Sequence, residues 1–283
     1  PNARMGGTFV LFAPAQAWNR NNVFFGFRGG MRAARSTIDR LALGAAIAMT
    51  YAFPYNKNLR LQAGTYVVNK ASGIAFSLTA PIVIEGEGES TVLKLVVGST
   101  SYTELFSISG ANVVFRNLAI LLSVPPAGQA VMFQPQAAGF TLRNVLMDGA
   151  VTNSGATVSH QAYGISLPAS GTAVNNLLVE NCKFTRLRFP LLKTNDSASE
   201  QRNLKFLGCD FYGNYNEDLL FNTPSGVMDG ILVQGCSFRD GNGAGASLSQ
   251  IHCSLASATN FLVSGCTFRG SVADAIHIEE GCV

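Results

Sequence analysis

Phe261-Leu262-Val263-Ser264-Gly265-Cys266-Thr267-Phe268 decides the fold, because its pattern returns along the chain. Upstream it recurs as Ile231-Leu232-Val233-Gln234-Gly235-Cys236-Ser237-Phe238, as Leu204 to Phe211, and as Leu177 to Phe184. Fainter copies run from Thr141 to Met147 and from Val113 to Ile120. One position is always Asn or Gly: Asn117, Asn144, Asn181, Gly208, Gly235 and Gly265, at steps of 27, 37, 27, 27 and 30 residues. A period in this range marks a solenoid. Within a copy, Leu177 and Val179 alternate as a strand requires, and so do Cys182 and Phe184. Between Val179 and Cys182 the spacing is three, so the chain must bend at Glu180-Asn181 for both pairs to face inward. Asn and Gly are the residues that enter the left-handed backbone region at least cost. A column restricted to them is therefore a column of sharp corners.

A second apolar segment precedes each corner: Phe106 to Ile108, Val131 to Phe133, Gly164 to Leu167, Pro190 to Leu192, Leu219 to Phe221 and Gln250 to His252. Ala275 to Ile278 opens one more turn. The fold class expected is all-β, a right-handed parallel β-helix with three short strands per turn. The 37-residue step carries an insertion, roughly Val151 to Gln161, with the Ser, Thr, Gly and Asn content of a loop.

Composition fits this. Of 283 residues 47% are hydrophobic, only 13% are charged and 29 are Gly, which excludes a disordered chain and suits tight corners. No apolar run approaches the ~18 residues of a membrane-spanning helix, so no membrane partner is expected. Residues 1–40 hold Arg4, Arg20, Arg28, Arg32, Arg35 and Arg40 against Asp39 alone, a local net charge of +5 within a total of +3. This reads as a solvated basic segment or as a docking surface for an acidic partner. No nucleic-acid-binding motif is present, and nucleic acid is not expected as a partner. Cys182, Cys209, Cys236 and Cys266 share one inward column and read as small buried thiols, not bridges. With no CxxC pair, no metal or other cofactor is expected.

Residues 1–35 lack periodicity and read as an N-terminal arm, with Phe9 to Phe12 and Val23 to Phe27 as short strands. Residues 36–283 then form the β-helix. Ser36 followed by Asp39 resembles a capping box and starts a helix over 36–52, with Ile38, Leu41, Ala45 and Met49 on its apolar stripe. That helix is placed to cap the open end of the solenoid. The chain begins at Pro1 and stops just inside a new turn at Val283, so a processed chain or fragment, truncated at its C-terminus, is expected.

The start of the repeat resembles the pectate-lyase-like β-helix of phage tailspikes and related polysaccharide-degrading proteins. The matching residues are Asp39, Leu41, Ala45, Ala46 and Ile47 in the helix, then Leu61, Ala63, Gly64, Thr65 and Tyr66, then Ile84, Gly86 and Gly88. The resemblance covers roughly Ser36 to Val283. It implies a phage tailspike or tail-fibre protein, located in the virion tail and extracellular. It also implies binding to a bacterial surface polysaccharide, with its degradation by a glycoside hydrolase or lyase activity as the depolymerase form of that reading, homotrimeric assembly, and attachment to other virion proteins through the N-terminal arm. The Gly-Asp-Gly usual before the helix is replaced here by Arg-rich sequence. The Gly-His-Gly of polygalacturonases and the clustered aspartates that hold calcium in pectate lyases are absent, so no catalytic residue carries over. Two other readings stand beside the depolymerase: a non-catalytic structural virion protein, and a secreted polysaccharide lyase.

Glycoside hydrolysis needs two carboxyl groups, ~5 Å apart in retaining enzymes and ~6.5–9.5 Å apart in inverting ones. One turn of a β-helix advances ~4.8 Å and two turns nearly 10 Å. Asp218 precedes the strand at Leu219, and Asp274 precedes the strand at Ala275 two turns later. With Glu217 they form the candidate catalytic set, although an Asp before a strand also serves as a turn cap. His277 alternates with Ile276 and Ile278 and should face outward, on the parity of Glu279. It or His252 is the candidate base for a lyase. Tyr212, Tyr215 and Phe189 are the candidate sugar-stacking residues, with Asn214 and Asn216 nearby. The Phe184, Phe211, Phe238 and Phe268 column reads as core. Asn195-Asp196-Ser197 matches a glycosylation sequon by spelling, and Gly241 to Gly245 reads as a loop.

Overall fold

The computed structural model describes residues 9–11, 32–52, 57–97, 102–123, 126, 128–151, 161–168, 172–194, 200–223, 227–241, 251–255, 258–271 and 274–278. The sequence expectations for Val23 to Phe27, the sequon at 195–197, Glu279, most of the insertion after Val151 and most of the loop after Gly241 lie outside these residues.

The chain winds as a mostly β, parallel solenoid of about 6 turns, with a single described helix near its N-terminus. Each full turn presents three faces. In the later turns the first face carries Leu178–Glu180, Glu200–Leu207, Val227–Gln234 and Ala258–Ser264. The second carries Lys183–Thr185, Asp210–Tyr212, Ser237–Arg239 and Thr267–Arg269. The third is an eight-stranded parallel sheet from Gly73–Leu78 to Ile276–Ile278.

The corner column stands as the repeat requires. Arg116, Arg143, Glu180, Leu207, Gln234 and Ser264, the residues just before each corner, are Cα partners on successive strands. The six corner residues all have positive φ, from 51° at Asn144 and Asn181 to 63° at Gly235. Their backbone groups join the turns: Asn181 N–H donates to Leu207 O at 2.8 Å, and Gly208 N–H to Gln234 O at 2.9 Å. Two further left-handed columns emerge. Asn112, Gly139, Asn176, Asn203, Gly230 and Asn260 lie five residues before each corner. Arg186, Gly213, Asp240 and Gly270 lie five residues after the last four. Amide side chains reinforce both Asn-bearing columns, with Asn144 Nδ2 donating to Asn117 Oδ1 at 3.0 Å and Asn203 Nδ2 to Asn176 Oδ1 at 3.1 Å.

The inward side chains stack by type. Phe184, Phe211, Phe238 and Phe268 pile with ring centroids 4.8, 4.7 and 4.9 Å apart and planes within 6°. Cys182, Cys209, Cys236 and Cys266 are free thiols beside them. The Cys209 thiol donates to Val179 O at 3.5 Å and the Cys236 thiol to Phe206 O at 3.5 Å. Hydrogen bonding to the preceding thiol, together with burial, pushes the Cys209 and Cys236 thiols well above their ordinary pKa, which keeps them unreactive.

The helix runs Arg32–Ala52, so Ser36 falls inside it and the capping-box reading does not hold. Its buried stripe is Leu43, Ala46, Ile47 and Thr50, while Leu41 is 60% exposed. Of the expected stripe, Leu41 and Ala45 are exposed and Met49 is half-buried. The segment is apolar on several sides, so periodicity alone does not select the face. It packs on Asn58–Leu61 and Gly64–Lys70 of the first turn and on Phe9–Leu11. That last strand, inside the expected arm, pairs in parallel with the first turn through Phe9–Leu59 and Leu11–Leu61.

Candidate functional site

The candidate carboxylates divide by burial. Glu217 and Asp218 lie in the turn from the second face to the third and are 6% and 1% exposed. Asn214 fastens this turn. Its Nδ2 donates to Asp218 Oδ1 at 2.7 Å and to Phe184 O at 3.2 Å, and its Oδ1 accepts from Leu187 N–H at 3.0 Å. Burial, with smaller contributions from the charges of Glu217 and Asp210, pushes the Asp218 carboxyl up to about 8, against the Asn214 hydrogen bond that favours its charged form. A carboxyl kept protonated near neutral pH is what a general acid requires. At 1% exposure, however, Asp218 meets a substrate only if the Asn214–Asp218 turn opens.

Asp274 does not occupy the place equivalent to Asp218. Leu219, Ile251 and Ile276 are successive Cα partners, so extending that register two residues upstream sets Asp274 level with Glu217. The one-residue difference arises because the sequence match aligned each Asp with the visible start of its apolar run. Asp274 is exposed and its Oδ2 stands 3.1 Å from His277 Nδ1. The His277 side chain is 41% exposed. Ile276 and Ile278, in the inward columns of Leu219 and Phe221, are themselves exposed in this last strand of the sheet.

Of the three aromatic candidates, only Tyr212 is exposed, at 47%. Tyr215 belongs to the core. Phe189 is buried on the outer side of the third face, where Tyr163 meets it edge-on at 5.5 Å and Arg188 lies 5.4 Å from its ring centre. The expectation of exposure therefore holds for one residue of three. Spacing alone did not reveal the small second core of Val131, Tyr163, Phe189 and Leu220 outside the sheet.

Around Tyr212 the second face forms a fixed polar patch. Arg239, its Cα partner on the next turn, lies 5.0 Å over the Tyr212 ring. Arg239 is held in turn by both oxygens of Asp210, at 3.1 and 2.7 Å. A bidentate Arg–carboxylate pair is geometrically specific, and the cation–π contact contributes about 0.5–1 kcal/mol at an exposed site. The patch thus holds one aromatic ring, one guanidinium and one carboxylate rigidly, without burying them. Nothing in the sequence singles out Arg239, because only the register between turns sets it beside Tyr212. Among residues with described side chains, no group of three His, Cys, Asp or Glu is placed to hold a metal ion.

Comparison of the chain with protein-family models, with curated proteins and with solved structures finds no match.

Proposed function

We propose that this protein binds an extended bacterial surface polysaccharide along the outside of its solenoid, as a phage tailspike or tail-fibre component of the pectate-lyase-like type. Solenoids offer long, regular surfaces suited to chain-like ligands. The observation that carries the reading is the exposed Tyr212 ring, braced by Arg239 and Asp210. An aromatic face takes the apolar side of a sugar ring, and the charged pair beside it offers donors and acceptors to hydroxyl groups. Homotrimeric assembly and virion attachment through the Arg-rich N-terminal segment belong to the same proposal. Binding is favoured over cleavage because Glu217 and Asp218 are buried while Asp274 is exposed.

A second reading, a non-catalytic virion scaffold, is favoured by the ion pairs that join neighbouring turns. Glu85 pairs with Arg116, Glu180 with Arg143, Asp229 with Arg202 and Asp148 with Arg186. Acids tied in this way brace the rod and are less available for catalysis.

Retention of host capsule or lipopolysaccharide on the immobilised chain separates the two readings, with reducing-sugar release measured in parallel. The expected result is retention without release, weakened about tenfold by Tyr212→Ala, equivalent to ~1.4 kcal/mol. Retention unchanged by that substitution, or no retention of any glycan tested, contradicts the glycan-binding reading. Release of reducing sugar would return Glu217, Asp218 and Asp274 to a catalytic role.

A further inference from the structure

The Tyr212 patch leaves one charge on the second face unanswered. Tyr212 and Arg239 are Cα partners, and so are Arg239 and Arg269 one turn later. The two arginines therefore continue the column of Tyr212, each turn adding ~4.8 Å. Like charges side by side on neighbouring strands repel. Arg239 is compensated by both oxygens of Asp210, at 3.1 and 2.7 Å. Arg269 is exposed, and its guanidinium forms no ion pair or hydrogen bond with any described residue.

Two neighbours shape the surroundings. Asp240 follows Arg239 in the chain, and its carboxylate lies against Gly270, with Oδ1 2.8 Å from the place a Cβ would occupy there. The hydrogen bond and charge of Asp210, and to a smaller extent the charge of Asp240, raise the pKa of Arg239. Both acids of the patch thus act on Arg239. Thr267 is also exposed and shares the outward side of Arg269, by alternation about the part-buried Phe268. A free guanidinium and a hydroxyl group therefore sit two turns, ~10 Å, beyond the Tyr212 level.

We propose that the Tyr212 patch selects an acidic polysaccharide, and that Arg269 receives the carboxylate or phosphate of a sugar beyond the one stacked on Tyr212. The proposal rests on the glycan-binding reading and adds to it the charge of the ligand. A guanidinium fork matches two oxygens of a carboxylate or phosphate at once. A neutral glycan leaves the repulsion between Arg239 and Arg269 standing, whereas an anionic group at Arg269 relieves it. No acid of the protein has to be displaced, because Asp210 stays on Arg239.

Retention on the immobilised full chain tests this with two pairs of probes. One pair is a carboxylate-bearing capsular polysaccharide and its carboxyl-reduced form. The other is a phosphorylated lipopolysaccharide and its dephosphorylated form. In at least one pair the acidic polymer is expected to be held about tenfold more tightly than its neutralised form, the worth of one charge-assisted contact. The pair that shows the gap names the anion. Added salt should narrow the gap. Arg269→Gln should abolish it, and Arg269→Lys should restore part of it, since Lys keeps the charge but not the fork. Tyr212→Ala should weaken acidic and neutralised forms alike. Equal retention within both pairs, or a gap that survives in Arg269→Gln, overturns the proposal and leaves glycan binding standing. No retention of any of these polymers overturns the glycan reading, and the role of Arg269 with it.

Discussion

Phe211→Ala is expected to lower the stability of the folded chain by about 3–5 kcal/mol, measured as a shift in denaturant midpoint. Phe211 is fully buried and stacked on both sides, 4.8 Å from Phe184 and 4.7 Å from Phe238, with planes within 6°. Truncation removes the transfer free energy of the ring and leaves a void that the rigid neighbouring turns cannot close. The loss of two aromatic contacts adds to this, each worth about 0.5–1.5 kcal/mol beyond burial. Phe268→Ala should cost less, because its ring has one described stacking partner, Phe238, and is only partly buried. Equal costs at the two positions would show that stacking between turns contributes little.

Asp218→Asn is expected to stabilise the protein at neutral and alkaline pH. The folded carboxyl holds its proton up to about 8, whereas the ordinary value is 3.8. Between these values the folded state binds a proton that the unfolded chain has released. Stability therefore falls as pH rises from about 4 to about 8. The amide removes this dependence while still accepting the Asn214 Nδ2–H bond through its oxygen. The gain should be near zero at pH 4 and grow to at most roughly 6 kcal/mol above pH 8, at ~1.4 kcal/mol for each pH unit of separation. Denaturation curves of both proteins at pH 4, 6 and 8 provide the check. A constant difference across that range would mean that Asp218 ionises as freely in the fold as in the open chain.

Both effects concern positions whose roles were unequally visible in the sequence. The Phe and Cys columns could be read directly, because identical residues at a fixed step leave few alternatives to stacking. The corner at Asn117, Asn144, Asn181, Gly208, Gly235 and Gly265 was equally clear. The upstream column from Asn112 to Asn260 carries the same Asn-or-Gly signature but falls before the apolar run, where no break in alternation marks it. The downstream column had no such signature, because Arg186 and Asp240 also adopt left-handed backbone there. The helix face was ambiguous because Leu41 to Met49 is apolar nearly all round.

The candidate site was less legible than the fold. Alternation predicts inward or outward, but not whether an outward residue is then covered. Leu220 alternates with the core residues Leu219 and Phe221 and is nonetheless buried, against Val131, Tyr163 and Phe189. Pairing between turns is also hidden until register is known. The partnership of Tyr212 with Arg239 and the level of Asp274 with Glu217 both depend on strands about 27 or more residues apart in sequence.

The central claim is that left-handed corners, stacked one above another, wind the chain into a solenoid. Gly235 tests it with the least interference, because its φ is +63° and a Cβ built there meets nothing within 4 Å. Any penalty at that site is conformational and not steric. Gly235→Asn and Gly235→Val should be compared by denaturant titration. The account predicts that Asn is tolerated nearly as well as Gly, and that Val costs at least ~1–2 kcal/mol more. Equal stability of the Asn and Val variants would contradict it.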